Sequence, residues 1–232
     1  MTNVMTDNSA GNMIGSSVDN KVEYRLEELV ARYPALEVCK ADIQGAFELL
    51  KASYRAGGKL LVAGNGGSAA DSEHIVGELM KGFVKKRTLS QDIQTKIMEI
   101  DPELGKSLCE NLQGALPAIA LTGHTALSTA FLNDVDGKLS FAQQVFGYGM
   151  PEDCFMGITT SGNSGNILSA MVAAKAKGLK TIALTGRDGG KVKALADVSI
   201  IVPEQETFKI QELHLPVYHA LCLMLEEAFF EN

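Results

Sequence analysis

The chain has 232 residues, 46% hydrophobic and 21% charged, a balance that excludes disorder along most of its length. At 24.8 kDa, surface scaling places about 70% of the chain's surface in a folded interior, enough for one core. Its 21 basic and 28 acidic residues leave a net charge of −7. That disfavours broad contact with nucleic acid or an anionic membrane but permits a local phosphate site.

Residues 1–20 are polar and small, with Gly11, Gly15, Ser16 and Ser17, and read as a flexible leader to one domain spanning 21–232. The opening residues contain no basic stretch followed by an apolar one. No apolar run approaches the ~20 residues that span a bilayer, so the expected location is cytoplasmic. Ile43, Phe47, Leu50 and Tyr54 recur at helical spacing, and Gly57-Gly58 should stop that helix. Unalternating apolar runs then appear at 59–63, 117–121, 155–158, 181–184 and 198–202, as in strands buried on both faces of a parallel sheet. Helical segments separate them. Between the third and fourth runs, Ser164 is an expected N-cap, Ile167, Leu168, Met171 and Val172 form a stripe, and Gly178 marks the stop. Repeated strand–helix–strand units predict an α/β fold, a three-layer α/β/α sandwich with a five-stranded parallel sheet, whose ligands sit beyond the carboxyl ends of the strands. Four cysteines, Cys39, Cys109, Cys154 and Cys222, lack paired spacing and read as reduced core thiols.

Glycine accounts for 23 residues, and many fall after the strands. Gly64-Asn65-Gly66-Gly67-Ser68 follows the first run, and Thr159-Thr160-Ser161-Gly162-Asn163-Ser164-Gly165 follows the third. Each offers backbone N–H groups at a helix start together with hydroxyl donors, which suits a sugar phosphate. The same pattern also serves in plain tight turns. No lysine follows in the Walker pattern, and Gly64-x-Gly66 lacks the rest of a dinucleotide fingerprint, so ATP and NAD are weak readings.

Only four histidines are present: His74, His124, His214 and His219. His74 and Glu78 lie four apart on the helix opened by the first loop, expected to run from Ala69 to about Phe83, and so share a face. Near the end of the chain, Gln211 and His219 lie about two turns apart on a helix continuing through Leu221, Met224, Leu225 and Ala228. By spacing alone, His214 would serve nearly as well as His219.

These stretches together resemble the sugar isomerase (SIS) fold and, within it, the phosphoheptose isomerases. The matching motifs are Gly64–His74 with Glu78, Ala130–Asp134, Gly157–Asn166, Leu184–Lys191 and Ile210–His214 followed by His219, within about residues 40–230. The resemblance implies a flavodoxin-like sandwich and a ketose–aldose isomerase converting sedoheptulose 7-phosphate to D-glycero-D-manno-heptose 7-phosphate. It implies a zinc ion on His74, Glu78, Gln211 and His219, and here it selects His219 over His214. Glu78 would be the general base and His219 the general acid. The substrate would lie against Asn65, Gly66, Gly67, Glu78, Asn133, Asp134, Thr159, Thr160, Ser161, Ser164 and Gln211. The family also implies a homotetramer with sites where subunits meet.

Several features depart from the family pattern. Residues 84–115 form an insertion, expected to be helical, with an Ile93, Ile97, Ile100 stripe and an Asp101-Pro102 start before Leu104, Leu108 and Leu112. It should pack on the domain or a neighbouring subunit. Where the family carries an arginine shortly after the glutamate, this chain has Lys81-Gly82-Phe83, with Lys85, Lys86 and Arg87 beyond. That basic triplet reads as solvated surface or as the missing cation. Phe208 stands where the family often has an aspartate, and Pro216 should interrupt or kink the last helix. The alternatives are an isomerase of another sugar phosphate and a non-catalytic scaffold of the replication-initiator-associating type. Scaffolds of that type lack the glutamate and final histidine that are present here.

Overall fold

The five apolar runs become strands because each side chain in them finds a packed layer, whichever face it points to. In the computed structural model, which describes residues 9–231, the strands are β1 (Leu60–Ala63), β2 (Ala118–Ala120), β3 (Cys154–Thr159), β4 (Lys180–Thr185) and β5 (Val198–Ile201). They form one parallel sheet in the order β2-β1-β3-β4-β5. Leu60 and Val62 of β1 enter one apolar cluster, and Leu61 and Ala63 enter the other. Period-2 alternation is therefore invisible in the sequence: both faces are interior.

The first cluster is built with α1 (Ser9–Arg32), α2 (Lys40–Arg55), α3 (Gly67–Met80) and α9 (Thr207–Phe229). The second is built with α7 (Ser140–Tyr148) and α8 (Gly165–Ala176). Ile43, Phe47, Leu50 and Tyr54 all face inward from α2, and Gly57 adopts φ 84° after its end, as a chain-reversing glycine must. Gly178 does the same after α8, with φ 85°. Ser164 sits at the N-cap position of α8 but does not cap it; its Oγ is 2.9 Å from Thr159 Oγ1 instead. Cys39, Cys154 and Cys222 are buried and Cys109 is partly so, all as free thiols.

Two expectations change. The leader does not end near residue 20: α1 begins at Ser9, Val18 packs against the core, and Val22, Leu26 and Leu29 are buried. Residues 1–8 lie outside the described residues. Pro216 does not interrupt the last helix, since α9 is one helix from Thr207 to Phe229 with Pro216 buried inside it. A proline costs the bond to the carbonyl four residues back, and the packed neighbours of α9 keep the helix together around that loss.

The insertion is helical as expected, forming α4 (Gln91–Ile100) and α5 (Pro102–Asn111). Asp101 caps α5 by accepting from the N–H groups of Glu103 and Leu104. The hairpin does not pack on the domain, however: α4 buries no residue and α5 only Gly105. Its base is pinned by an antiparallel bridge between Thr88 and Gln113. The remaining helix, α6 (Thr125–Asp134), follows β2.

Candidate active site

Chain order reverses direction across the sheet between β1 and β3, and the crevice beyond their carboxyl ends is where such sheets bind ligands. Both glycine loops open there. Gly64 must lack a side chain, because a Cβ would lie 2.3 Å from Ser68 O. Gly66 takes φ 58° to turn the chain into α3. The two loops are tied by a reciprocal amide pair. Asn65 Nδ2 donates to Asn166 Oδ1 at 3.0 Å, and Asn166 Nδ2 donates to Asn65 Oδ1 at 2.8 Å. Asn166 was not among the expected site residues, and its only sequence signal was its place in the third-strand motif.

The third-strand loop is held from behind by the loop after β4. Gly162, at φ 66°, passes so close to Gly189 O that a Cβ would lie 2.0 Å from it. Asn163 Nδ2 donates to Ser161 O, and Lys191 N donates to Asn163 Oδ1. Thr159 and Ser164 pair through their hydroxyls, while Thr160 and Ser161 are partly open to solvent. Asn133 and Asp134 lie on the exposed last turn of α6, where Asn133 Nδ2 donates to Asp134 Oδ1 at 2.7 Å. Neither side chain is hydrogen-bonded to either glycine loop.

The acid–base residues come from α3 and α9, which pack side by side. Gln211 lies against the first loop, its Nε2 2.5 Å from where a Gly67 Cβ would be. His74 Nε2 is 3.2 Å from Glu78 Oε1, and Lys81 Nζ donates to Glu78 Oε2 at 3.0 Å. Lys81 thus places a cation beside Glu78. His219 stacks edge-on to His74 with ring centroids 5.0 Å apart. Its Nε2 is buried without a hydrogen-bond partner. Burial and the neighbouring His74 hold the His219 imidazole below its ordinary pKa, with Glu78 pulling the other way. His219 also borders a cavity of about 280 Å³ between α1 and α9, lined in part by Arg25, Arg32 and Tyr33.

Two residues of this cluster, Tyr218 and Asp71, are additional to the expected site residues. Tyr218 Oη is 2.9 Å from His74 Nδ1 and 3.3 Å from Asp71 Oδ1. Burial and Asp71 push the Tyr218 phenol above its ordinary pKa, so it keeps its proton. Burial raises the pKa of the Asp71 carboxyl, but in its ionised form it can only accept, so that Tyr218 then donates to Asp71 and His74 Nδ1–H donates to Tyr218. That tautomer leaves the lone pair of His74 Nε2 facing the Glu78 carboxylate, an arrangement that calls for a proton or a cation between them. His214, the residue spacing could not separate from His219, is wholly buried, with neither ring nitrogen hydrogen-bonded.

Of the basic triplet, Lys86 is exposed as solvated surface, while Lys85 and Arg87 are paired and are not free cations. Arg87 is fully buried: its Nε donates to Glu226 Oε1, and its Nη1 and Nη2 donate to the carbonyls of Leu79 and Glu78. Lys85 pairs with Glu227. The Glu226 carboxylate also accepts from the N–H groups of Phe83, Val84 and Lys85. This anchor ends α3 at Met80, before the expected Phe83.

A zinc ion can be tested against these residues. Among the described residues no three His, Cys, Asp or Glu side chains form a preformed cage. The donor chemistry does fit: two imidazoles, a carboxylate and an amide, with the buried Nε2 of His219 unpartnered and the Nε2 lone pair of His74 aimed at Glu78.

The SIS domain family matches residues 26–114 and 94–186. The phosphoheptose isomerase of Nitratiruptor sp. is 42% identical over 171 residues, covering 74% of this chain and 78% of that protein. The chain belongs to the SIS-domain phosphoheptose isomerase family. A second member, from Aneurinibacillus thermoaerophilus, is 40% identical over 179 residues, 77% of each chain. Among solved structures, the phosphoheptose isomerase from Francisella tularensis superposes with a TM-score of 0.69 at 31% identity, over 95% of this chain and 98% of that one. That from Neisseria gonorrhoeae gives 0.66 at 33% identity, over 88% and 96%.

Proposed function

We propose that this chain is a ketose–aldose isomerase of a sugar phosphate, sedoheptulose 7-phosphate, yielding D-glycero-D-manno-heptose 7-phosphate for heptose biosynthesis. The observation that carries the reading is the convergence of His74, Glu78 and the unpartnered His219 Nε2 next to a first loop contacted by Gln211. The phosphate would rest on the loop amides and hydroxyls of Gly66, Gly67, Thr160, Ser161 and Ser164, which explains how a net-acidic chain binds an anion.

The Glu78 carboxylate takes the proton from C1 of the ketose as the C1–H electrons form the C1=C2 bond, and His219 gives a proton to O2. The enediol then collapses: O1–H returns a proton to His219, a carbonyl forms at C1, and Glu78 delivers its proton to C2. Lys81 and His74 hold the Glu78 carboxylate in place, and Tyr218 with Asp71 holds His74. A zinc ion on His74, Glu78, Gln211 and His219 would supply Lewis-acid polarisation of the substrate carbonyl. The reading includes a cytoplasmic homotetramer.

NMR of C1 and C2 proton exchange across a panel of ketose and aldose phosphates, with and without chelator, tests this directly. Glu78→Gln and His219→Gln should each abolish exchange while leaving the circular-dichroism spectrum unchanged. Normal turnover by either variant overturns the acid–base assignment. Retained fold with exchange only on a different sugar overturns the substrate.

A further inference from the structure

The α4–α5 hairpin has two unlike flanks. The seam between its helices is fixed by Met98 against Gly105, where a Cβ would lie 2.9 Å from Met98 Sδ, and by Cys109 Sγ at 3.6 Å from Gln94 O. On one side of that seam Gln91, Thr95, Glu99, Lys106 and Glu110, with Met98 and Cys109, line a shared cavity of about 480 Å³. At 100° per residue, Ile93, Ile97 and Ile100 fall on the other side of the Gln94–Met98 line, and Leu104 and Leu108 on the other side of the Gly105–Cys109 line. In an antiparallel pair these five aliphatics share one flank. Ile100 is 85% exposed, Leu104 64%, Ile93 44% and Leu108 42%, with Ile97 partly covered.

We propose that this flank binds a second copy of the chain, two hairpins closing about a two-fold axis into an antiparallel four-helix bundle. Three features point to self-association. The helices are of equal length, ten residues each, so a two-fold rotation can lay the isoleucine ridge of one copy along the leucine ridge of the other. The flank exposes on the order of 500 Å² of apolar surface per copy, so two copies bury about 1,000 Å², where specific interfaces begin. The flank carries no charge, and the acidic groups around it (Asp92, Glu99, Asp101, Glu103 and Glu110) outnumber Lys96 and Lys106. That balance opposes an anionic membrane as the occupant. The contact is independent of the isomerase reading and of any interface elsewhere on the chain.

Sedimentation of the full chain and of a Leu104→Glu, Leu108→Glu double variant, at matched concentration, tests the proposal. The expected result is a twofold fall in particle mass with unchanged helical content, since neither side chain supports the fold. A second variant replaces residues 89–112 by a short glycine turn across the paired Thr88 and Gln113 and should show the same fall. A monomeric wild type, or unchanged mass in a folded double variant, overturns the proposal.

Discussion

Acidification should unfold this protein in part through His214. Its side chain is 0% exposed, neither ring nitrogen is hydrogen-bonded, and burial pushes its pKa down to about 4, with the Thr185 backbone only partly offsetting that. In the unfolded chain the imidazole titrates near its ordinary value of 6.5. Between those values the unfolded state binds the proton and the folded state does not. The stability tied to neutral His214 is therefore complete above pH ~6.5 and is lost as pH falls toward 4. Linkage with these two values gives a loss of about 2 kcal/mol by pH ~5 and about 3 kcal/mol by pH ~4. Urea denaturation at fixed protein concentration, across this range, for wild type and His214→Leu provides the assay. Leucine is of similar size and cannot titrate, so the wild type should lose about 2 kcal/mol more than the variant between pH ~7 and ~5. Parallel stability curves for the two proteins would refute a neutral, desolvated His214.

Two further outcomes follow from close contacts. Arg87→Met removes the buried partner of Glu226, and breaking such a buried pair should cost about 3–5 kcal/mol in denaturant melts. An Arg87→Met, Glu226→Leu double variant should recover part of that loss. Gly67→Ala places a methyl group 2.5 Å from Gln211 Nε2. It should lower isomerase turnover about tenfold, the cost of roughly 1.4 kcal/mol in positioning, with little change in melting temperature; unchanged kinetics would remove Gln211 from the site.

The fold was largely legible in the sequence, because five unalternating apolar runs separated by helix-period segments admit few arrangements other than a covered parallel sheet. The runs predicted at 59–63 and 198–202 appear at Leu60–Ala63 and Val198–Ile201. Boundaries failed where a distant group competed with the local signal. Ser164 reads as a helix cap, yet its hydroxyl is taken by Thr159. The helix expected to reach Phe83 stops at Met80 because Glu226, remote in sequence, accepts the next backbone N–H groups. The leader was misjudged because α1 has too few apolar residues to signal a helix alone and is held by packing on α9.

By itself the sequence determined the α/β class, the two glycine loops and the pairing of His74 with Glu78, because each depends on residues within a turn or two of one another. Spacing left open which C-terminal histidine meets that pair; beyond the family resemblance, only the tertiary structure decided it. His214 and His219 lie on one helix about a turn and a half apart, and the packing of α9 on α3 turns His219 toward His74 while burying His214. The same holds for Tyr218 with Asp71, Asn65 with Asn166, and Arg87 with Glu226. Each pair joins residues more than 100 apart in the chain, so no local spacing could announce it. The energy that selects such pairs comes from burying them together.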